Sequence, residues 1–198
     1  MSEIAFGHNG IILLKSLCNK FFYLIPLFTT AVDRNLSASI KIRDLSPDDA
    51  ESVIKVAKES WIWTYSGIYT EEFINSWIRE NYSRTRLLQQ IARAQLRKDT
   101  FFLGAFDSSE LVGFIHLKLS GSTAELLRLY LKPDYTRRKI GSKLLEEAET
   151  LMGRSGVSEC ILYVHRKNSV GMSFYRKKGF VLSGNNGEDL IMVKKYIT

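Results

Sequence analysis

From Ala124 to His165 the chain reads as strand, helix, strand, and this crossover restricts what the sequence can fold into more than any other feature. "AELLRLYL" and "ECILYVH" are short apolar runs of strand length. Between them Leu144, Leu145, Ala148, Leu151 and Met152 recur at helical spacing from a start near Ile140. Two further strands, "TFFLGAFD" and "LVGFIHLKLS", precede the crossover and are joined by the turn "SSE", a hairpin signal. Hairpins mixed with a crossover point to a single α/β domain around one sheet.

The segments on either side fit that plan. "SIKIRDL" alternates as a strand does. "SPDDAESVIKVAKESW" begins with a cap-like Ser46 and Pro47 at the first helical position, and Ala50, Val53, Ile54, Ala57 and Trp61 share one face. Thr70 can cap a second helix, "EEFINSWIREN", with Phe73, Ile74, Trp77 and Ile78 inward. Ser83 can cap a third, in which Leu87, Leu88 and Ile91 face the core while Arg84, Arg86, Arg93 and Arg97 face water. After the crossover come a short helix, "NSVGMSFYRKKG", and strands near "FVLSG" and "DLIMVKKY". The expected order is β-α-α-α-β-β-β-α-β-α-β-β, with the domain running over 39–198.

Residues 1–38 have a different character. "IILLKSLCNKFFYLIPLFTTAV" is apolar but broken by Lys15, Asn19, Lys20 and Pro26, and its uncharged run from Phe21 to Val32 is too short for a membrane-spanning helix of ~20 residues. Three readings stand: a leader ahead of a later translation start, a docking or membrane-surface segment, or a signal peptide ending at "TTA".

A chain of 198 residues suffices for one domain with a full core. Its formal net charge of +7 favours anionic partners, which include nucleic acid, membrane surfaces and phosphorylated cofactors. No DNA-binding motif is present, so nucleic acid is not an expected partner. Cys18 and Cys160 are too few for a disulfide framework, and Cys160 in "CILYV" reads as a small buried side chain. Three scattered histidines give no metal-ligand spacing, and no metal is expected. The chain reads as cytoplasmic.

One stretch suggests a ligand. In "DYTRRKIGSKLLEEAETLM" three basic residues, Arg137, Arg138 and Lys139, precede the helix that starts near Ile140. The first amides of a helix lack intrahelical partners and, with the positive end of the dipole, suit phosphate oxygens. Lys143 adds charge, and Gly141 would allow close approach of a diphosphate. A solvated basic turn accounts for the same residues equally well. Downstream, "VHRKNSVGMSFYRKKGF" places Asn168 where it can cap a short helix, Gly179 where it can end it, and Tyr175 where a packed aromatic would be ordinary.

Together these two segments resemble the GNAT superfamily of N-acetyltransferases. The family's coenzyme-A motif, Gln/Arg-x-x-Gly-x-Gly/Ala, falls on Thr136, Lys139 and Gly141, of which only Gly141 fits. The second motif, Asn…Tyr-x-x-x-Gly-Phe, is matched in full by Asn168, Tyr175, Gly179 and Phe180. "SWIWTYSGIYTEEFINSWI" and "AELLRLYLKPDYTRRKIG" look most like the PaiA-type polyamine N-acetyltransferases.

The resemblance implies a mixed central sheet, flanked by helices, whose two parallel strands "AELLRLYL" and "ECILYVH" splay apart. It places the pantetheine arm of acetyl-CoA against the backbone of Leu129, Tyr130 and Leu131. The diphosphate would lie on the amides of Arg137, Arg138, Lys139, Ile140, Gly141 and Ser142, with Asn168 and Tyr175 also at the cofactor. Lys139 is expected to need no left-handed backbone and to supplement the amides with its ammonium. Tyr175 takes the family position of the acid that protonates the departing thiolate. The acceptor amine has a pKa of about 10 and must lose a proton, so a base is needed; the resemblance points to Glu125. A surface carboxylate paired with Arg128 or Lys118 is the other reading of Glu125.

Trp61, Trp63, Tyr65 and Tyr69 are spaced to wall an acceptor pocket, and Glu71, Glu72, Glu80 and Glu125 could attract a polycation. The alternative is that the tryptophans are core and the glutamates solvated. The implied activity is acetyl transfer from acetyl-CoA to a primary amine of a small molecule, with spermidine or spermine the expected acceptor. A protein acetyltransferase and a non-catalytic acetyl-CoA-responsive regulator are the alternatives. No transmembrane segment is expected, and a homodimer is compatible with the reading.

Overall fold

In the computed structural model, which describes residues 40–196, strand β1 (Ile40–Asp44) leads through a 3-10 turn (Pro47–Asp49) into three helices. These are α1 (Ala50–Tyr65), α2 (Glu71–Asn81) and α3 (Arg84–Leu96). A meander of β2 (Thr100–Asp107), β3 (Glu110–Ser120) and β4 (Thr123–Leu131) follows. A second 3-10 turn (Pro133–Tyr135) precedes α4 (Ile140–Arg154), β5 (Glu159–His165) and α5 (Ser169–Lys177). The hairpin of β6 (Val181–Asn186) and β7 (Asp189–Lys195) completes the order, which matches the expected one element for element. The readings placed on residues 1–38 lie outside the described residues.

The strands form one sheet in the order β1-β2-β3-β4-β5-β7-β6. Every neighbouring pair is antiparallel except β4 and β5, whose parallel register is what the α4 crossover requires. Each face of the sheet is covered. On one, Leu144, Leu145, Ala148 and Met152 of α4 bury their stripe against Leu103, Ile115, Leu117, Leu126 and Leu162. On the other, Val53, Ala57, Ile74, Leu87 and Ile91 of α1–α3 pack on Phe102, Phe106 and Phe114. Each of the larger side chains, Val, Leu, Ile and Met, contributes roughly 1.5–3 kcal/mol by leaving water, so the two layers hold the sheet between them.

Helix starts follow the sequence signals, with one shift. The hydroxyls of Thr70 and Ser83 accept hydrogen bonds from the amides of Phe73 (3.3 Å) and Arg86 (3.4 Å), capping α2 and α3. Pro47, however, opens a 3-10 turn, and α1 begins only at Ala50. The Asp49 carboxylate accounts for the delay. It accepts from the Ser46 amide (2.7 Å) and hydroxyl (2.9 Å), and Arg43 grips it in a fork at 2.8 and 3.0 Å. Phe73 also departs from expectation. It is 46% exposed rather than inward; α2 packs on α1 through Ile74, Ile78 and Trp77 instead.

Candidate active site

β4 and β5 pair only from Thr123–Leu126 against Glu159–Leu162. Beyond that point β4 stays with β3 as far as Leu131, and β5 stays with β7 as far as His165. The two parallel strands therefore part in the middle of the sheet. A bulge marks the place: His116 faces Arg128 and Leu117 faces Leu126, which leaves Leu127 unpaired and adds local bend and twist. The extra residue also exchanges the faces of β4. Ala124 and Leu126 pack toward α4 before it, Leu129 and Leu131 after it, so Tyr130 turns into the α1–α3 layer. Gly113 allows the far end of β4 to lie this close to β3. A Cβ there would overlap the Leu131 side chain and come within 2.9 Å of the Tyr130 carbonyl oxygen.

At the far end of the gap stands the start of α4. Its N-cap residue, Lys139, adopts φ 61°, ψ 7°, and Arg137 also has φ 61°. The expectation that Lys139 needs no left-handed backbone is therefore overturned. Where the family pattern has glycine, this chain forces a lysine into the left-handed conformation, at a cost of roughly 1–2 kcal/mol. No side chain caps α4, in contrast to α2, α3 and α5, and no acidic residue lies in its first turn. Its leading amides are thus free to accept an anion, and Arg137, Arg138 and Lys139 surround them with positive charge. The Arg138 guanidinium lies 5.1 Å over the Tyr135 ring. The groups present fit a diphosphate. At Gly141 a Cβ would meet Leu131 (3.4 Å) and Phe174 (3.7 Å) at ordinary contact distance, so the packing of α4 does not by itself demand a glycine there.

α5 is fixed at both ends. The Asn168 Oδ1 accepts from the Gly171 amide at 2.8 Å, and its Nδ2 donates to the Tyr65 hydroxyl at 3.4 Å, tying α5 to α1. At the other end Gly179 takes φ 88° and donates to the Arg176 carbonyl, while Phe180 donates to the Tyr175 carbonyl, both at 3.0 Å. This pair of bonds is a Schellman cap, and it needs a glycine at that position. The Tyr175 ring meets the edges of Phe174 (5.3 Å) and Phe180 (5.7 Å). Burial, reinforced by the nearby phenols of Tyr130 and Tyr65, pushes the Tyr175 phenol well above its ordinary value, so it remains a proton donor.

The α1–α2 layer supplies an aromatic wall. Trp61 stacks on Trp77 (3.7 Å), lies 4.4 Å from Tyr65, and donates its Nε1–H to the Tyr130 hydroxyl at 3.0 Å. Tyr69 continues the row 5.9 Å from Tyr65. Trp63, two positions from both Trp61 and Tyr65 on a helix, is rotated away and 45% exposed, outside this group. Glu71 and Glu72 occupy the exposed first turn of α2, and Glu80 accepts from the Ser76 hydroxyl. The carboxylates that reach the aromatic row are instead Glu188 and Asp189, whose charges add to burial in raising the Tyr69 phenol. Together with the buried His165, they were not visible as site residues in the sequence. Only the register that places His165 beside Asp189 reveals them.

Glu125 sits opposite Lys118 and Ile161, one residue before the last paired position of β4 and β5. Arg128 is engaged elsewhere. It donates to Gln90 Oε1 at 2.8 Å and covers the Tyr82 ring at 4.6 Å. None of the ion pairs among the described residues involves Glu125. Cys160 is fully buried, and burial pushes its thiol up to about 12, so it offers no thiolate nucleophile. Among the described residues no helix is long and apolar enough to cross a membrane.

Residues 62–180 match the model of the acetyltransferase (GNAT) family. The chain is 60% identical over 158 residues to a spermidine N(1)-acetyltransferase of Thermoplasma acidophilum, covering 80% of this chain and 98% of that protein. It also superimposes on the crystal structure of the PaiA N-acetyltransferase of Thermoplasma acidophilum in complex with coenzyme A. There the TM-score is 0.79 at 59% identity, over 80% of this chain and 99% of that one. The crystal structure of Ard1 from Thermoplasma volcanium shares the fold, with a TM-score of 0.62 at 21% identity over 81% of this chain and 99% of that one.

Proposed function

The chain belongs to the acetyltransferase (GNAT) family, and from that premise we propose that it transfers the acetyl group of acetyl-CoA to a primary amine of a polyamine such as spermidine or spermine. The observation that carries the transfer reaction is the gap opened by the bulge at Leu127, with the uncapped start of α4 at its far end and Tyr175 beside it. The choice of polyamine rests on the likeness to the spermidine N(1)-acetyltransferase and on the aromatic wall with carboxylates beyond it.

Acetyl-CoA is the substrate that supplies an acetyl thioester. The amides of Arg137 to Ser142 hold its diphosphate, and the open side of β4 at Leu129, Tyr130 and Leu131 pairs with its amide-bearing arm. The same strand's amides stabilise negative charge developing on the thioester oxygen. Glu125, acting through water, takes the proton that the amine must lose before its lone pair can form the new C–N bond. As the C–S bond breaks, Tyr175 gives its phenolic proton to the departing sulfur. The amine attacks the thioester carbonyl carbon directly, and Cys160, buried in the core, takes no part.

Steady-state thiol release with spermidine, spermine and a lysine peptide tests the proposal. Turnover of the polyamines alone is expected. Turnover of the peptide alone, or of no amine despite tight acetyl-CoA binding, would overturn it.

A further inference from the structure

The hairpin turn between β6 and β7 is strapped to the end of β5. The Arg166 amide donates to the Glu188 carbonyl at 2.9 Å, and the Arg166 guanidinium bonds the carbonyls of Gly187 and Glu188. His165 adds a side-chain hold. Its Nδ1 accepts from the Lys167 amide at 3.2 Å, which leaves the proton on Nε2, and Nε2 faces the Glu188 Oε2 at 3.3 Å. The imidazole is only 6% exposed whereas the Glu188 side chain is 67% exposed, so a buried ring orients a carboxylate that solvent can reach. The same ring stands edge-on to Tyr65 (6.3 Å) and Tyr69 (5.6 Å). Tyr65 in turn touches Asn168, at the head of the helix that carries Tyr175.

The row of Tyr65 and Tyr69 therefore leads from the start of α5 to His165 and Glu188, and the Tyr65 phenol lies near enough to Tyr175 to add to the field there. We propose that Glu188, oriented by His165, binds the second ammonium of a polyamine whose other amine is being acetylated, and so selects polyamines over monoamines. This inference rests on the acetyltransferase reading above. A dication laid along the row places its methylenes on aromatic faces, which attract cationic chains, and its distal charge at the carboxylate. The phenols of Tyr65 and Tyr69 are both pushed up and stay neutral, so the carboxylates supply the anionic charge at this end. The Arg166 guanidinium forms no direct ion pair with Glu188; its bonds go to the main-chain carbonyls of Gly187 and Glu188.

Glu188→Gln keeps the size and the hydrogen-bond reach but removes the charge. For this variant KM for spermidine should rise about fivefold, the effect of a largely exposed ionic contact, with kcat unchanged. KM for butylamine, which has no second ammonium, should not move. His165→Leu, which cannot orient Glu188, should reproduce the spermidine effect, and His165→Gln, which retains a donor, should restore most of it. An unchanged KM for spermidine in Glu188→Gln, or equal losses with spermidine and butylamine, overturns the assignment while leaving the polyamine reading intact. If the wild-type protein acetylates neither spermidine nor spermine, the polyamine reading itself fails and this assignment falls with it.

Discussion

The amide of Phe180 donates to the carbonyl of Tyr175 at 3.0 Å, so the Tyr-x-x-x-Gly-Phe spacing is a helix cap that anchors its own tyrosine. The bond closes only because Gly179 turns the chain at φ 88°, a region that L side chains rarely adopt. Phe180 is then drawn into the core, 2% exposed, with its ring against Tyr175.

Gly179→Ala should accordingly cost about 1 kcal/mol from backbone strain. In a domain of this size that lowers Tm by roughly 2–4 °C. It should also lower kcat, because the carbonyl that the cap holds belongs to Tyr175, the proposed acid. Gly121→Ala provides the comparison: it too has positive φ, with open space around it, but lies in the β3–β4 turn. Similar thermal shifts with loss of kcat only at Gly179 are expected. Equal kcat in both variants would separate the cap from catalysis.

Tyr175→Phe removes the phenolic proton and leaves the packing. A general acid contributes about 10²-fold or more to rate, so kcat should fall by at least that factor while acetyl-CoA affinity stays the same. The wild-type pH profile offers a second check. Burial holds the Tyr175 phenol above its ordinary value near 10, and the donor form persists until the pH exceeds that raised value. The kcat profile should show no alkaline decline from this group up to pH about 10. Such a decline in the wild type that vanishes in Tyr175→Phe would contradict the assigned environment.

Much of this arrangement was legible in the sequence because it depends on local signals. Thr70, Ser83 and Asn168 cap the helices they precede, and Gly179 ends α5, since caps and turns act within a few residues. The crossover fixed the parallel pair. What escaped depends on distant register. Trp61, Tyr65 and Tyr69 lie in one row, whereas Trp63, two positions from its neighbours, is turned away by the helical rotation that a spacing of two in sequence does not display. Glu188 comes beside the aromatic row only through pairing of β5 with β7, which brings residues 23 positions apart, His165 and Glu188, into contact. The left-handed Lys139 was missed because lysine carries no local preference for that conformation. The constraint comes from the path the chain must take between β4 and α4.

That constraint makes Lys139→Gly a two-part prediction. Relief of a left-handed lysine contributes about 1–2 kcal/mol, and the added freedom of glycine in the unfolded chain offsets about 0.4–1 kcal/mol of it. A net gain of about 1 kcal/mol in urea unfolding is expected. The charge has a separate effect: loss of the ammonium beside the α4 amides should make acetyl-CoA binding less sensitive to salt. Greater stability with a shallower salt slope is the expected pair of results. An unchanged slope would remove the ammonium from the phosphate site while leaving the backbone account standing.

His116 gives the fold a pH dependence of its own. It is 5% exposed and stacks on Phe102 at 4.3 Å. The Thr100 hydroxyl donates to the Leu117 carbonyl at 2.7 Å, so it accepts from the His116 Nε2 at 3.2 Å, and Nδ1 is left buried without a partner. Protonating Nδ1 would place a charge there with nothing to receive it. Burial, with smaller contributions from Arg128 and Arg93, accordingly lowers the His116 pKa from 6.5 to about 3. Between those values the unfolded chain binds a proton that the folded one does not, so stability is full above pH 6.5 and falls as the pH drops toward 3. The limiting slope is about 1.4 kcal/mol per pH unit. The carboxylates of Asp49 and Asp99, whose pKa values are lowered from 3.8, add their own loss only at more acid pH. Urea unfolding between pH about 6.5 and about 4.5 therefore isolates the histidine. Wild-type stability should decline across that window, and in His116→Gln, which can still donate to Thr100 but does not titrate, the decline should flatten. Parallel slopes in the two proteins would show that His116 takes up its proton in the folded state as readily as in the unfolded one.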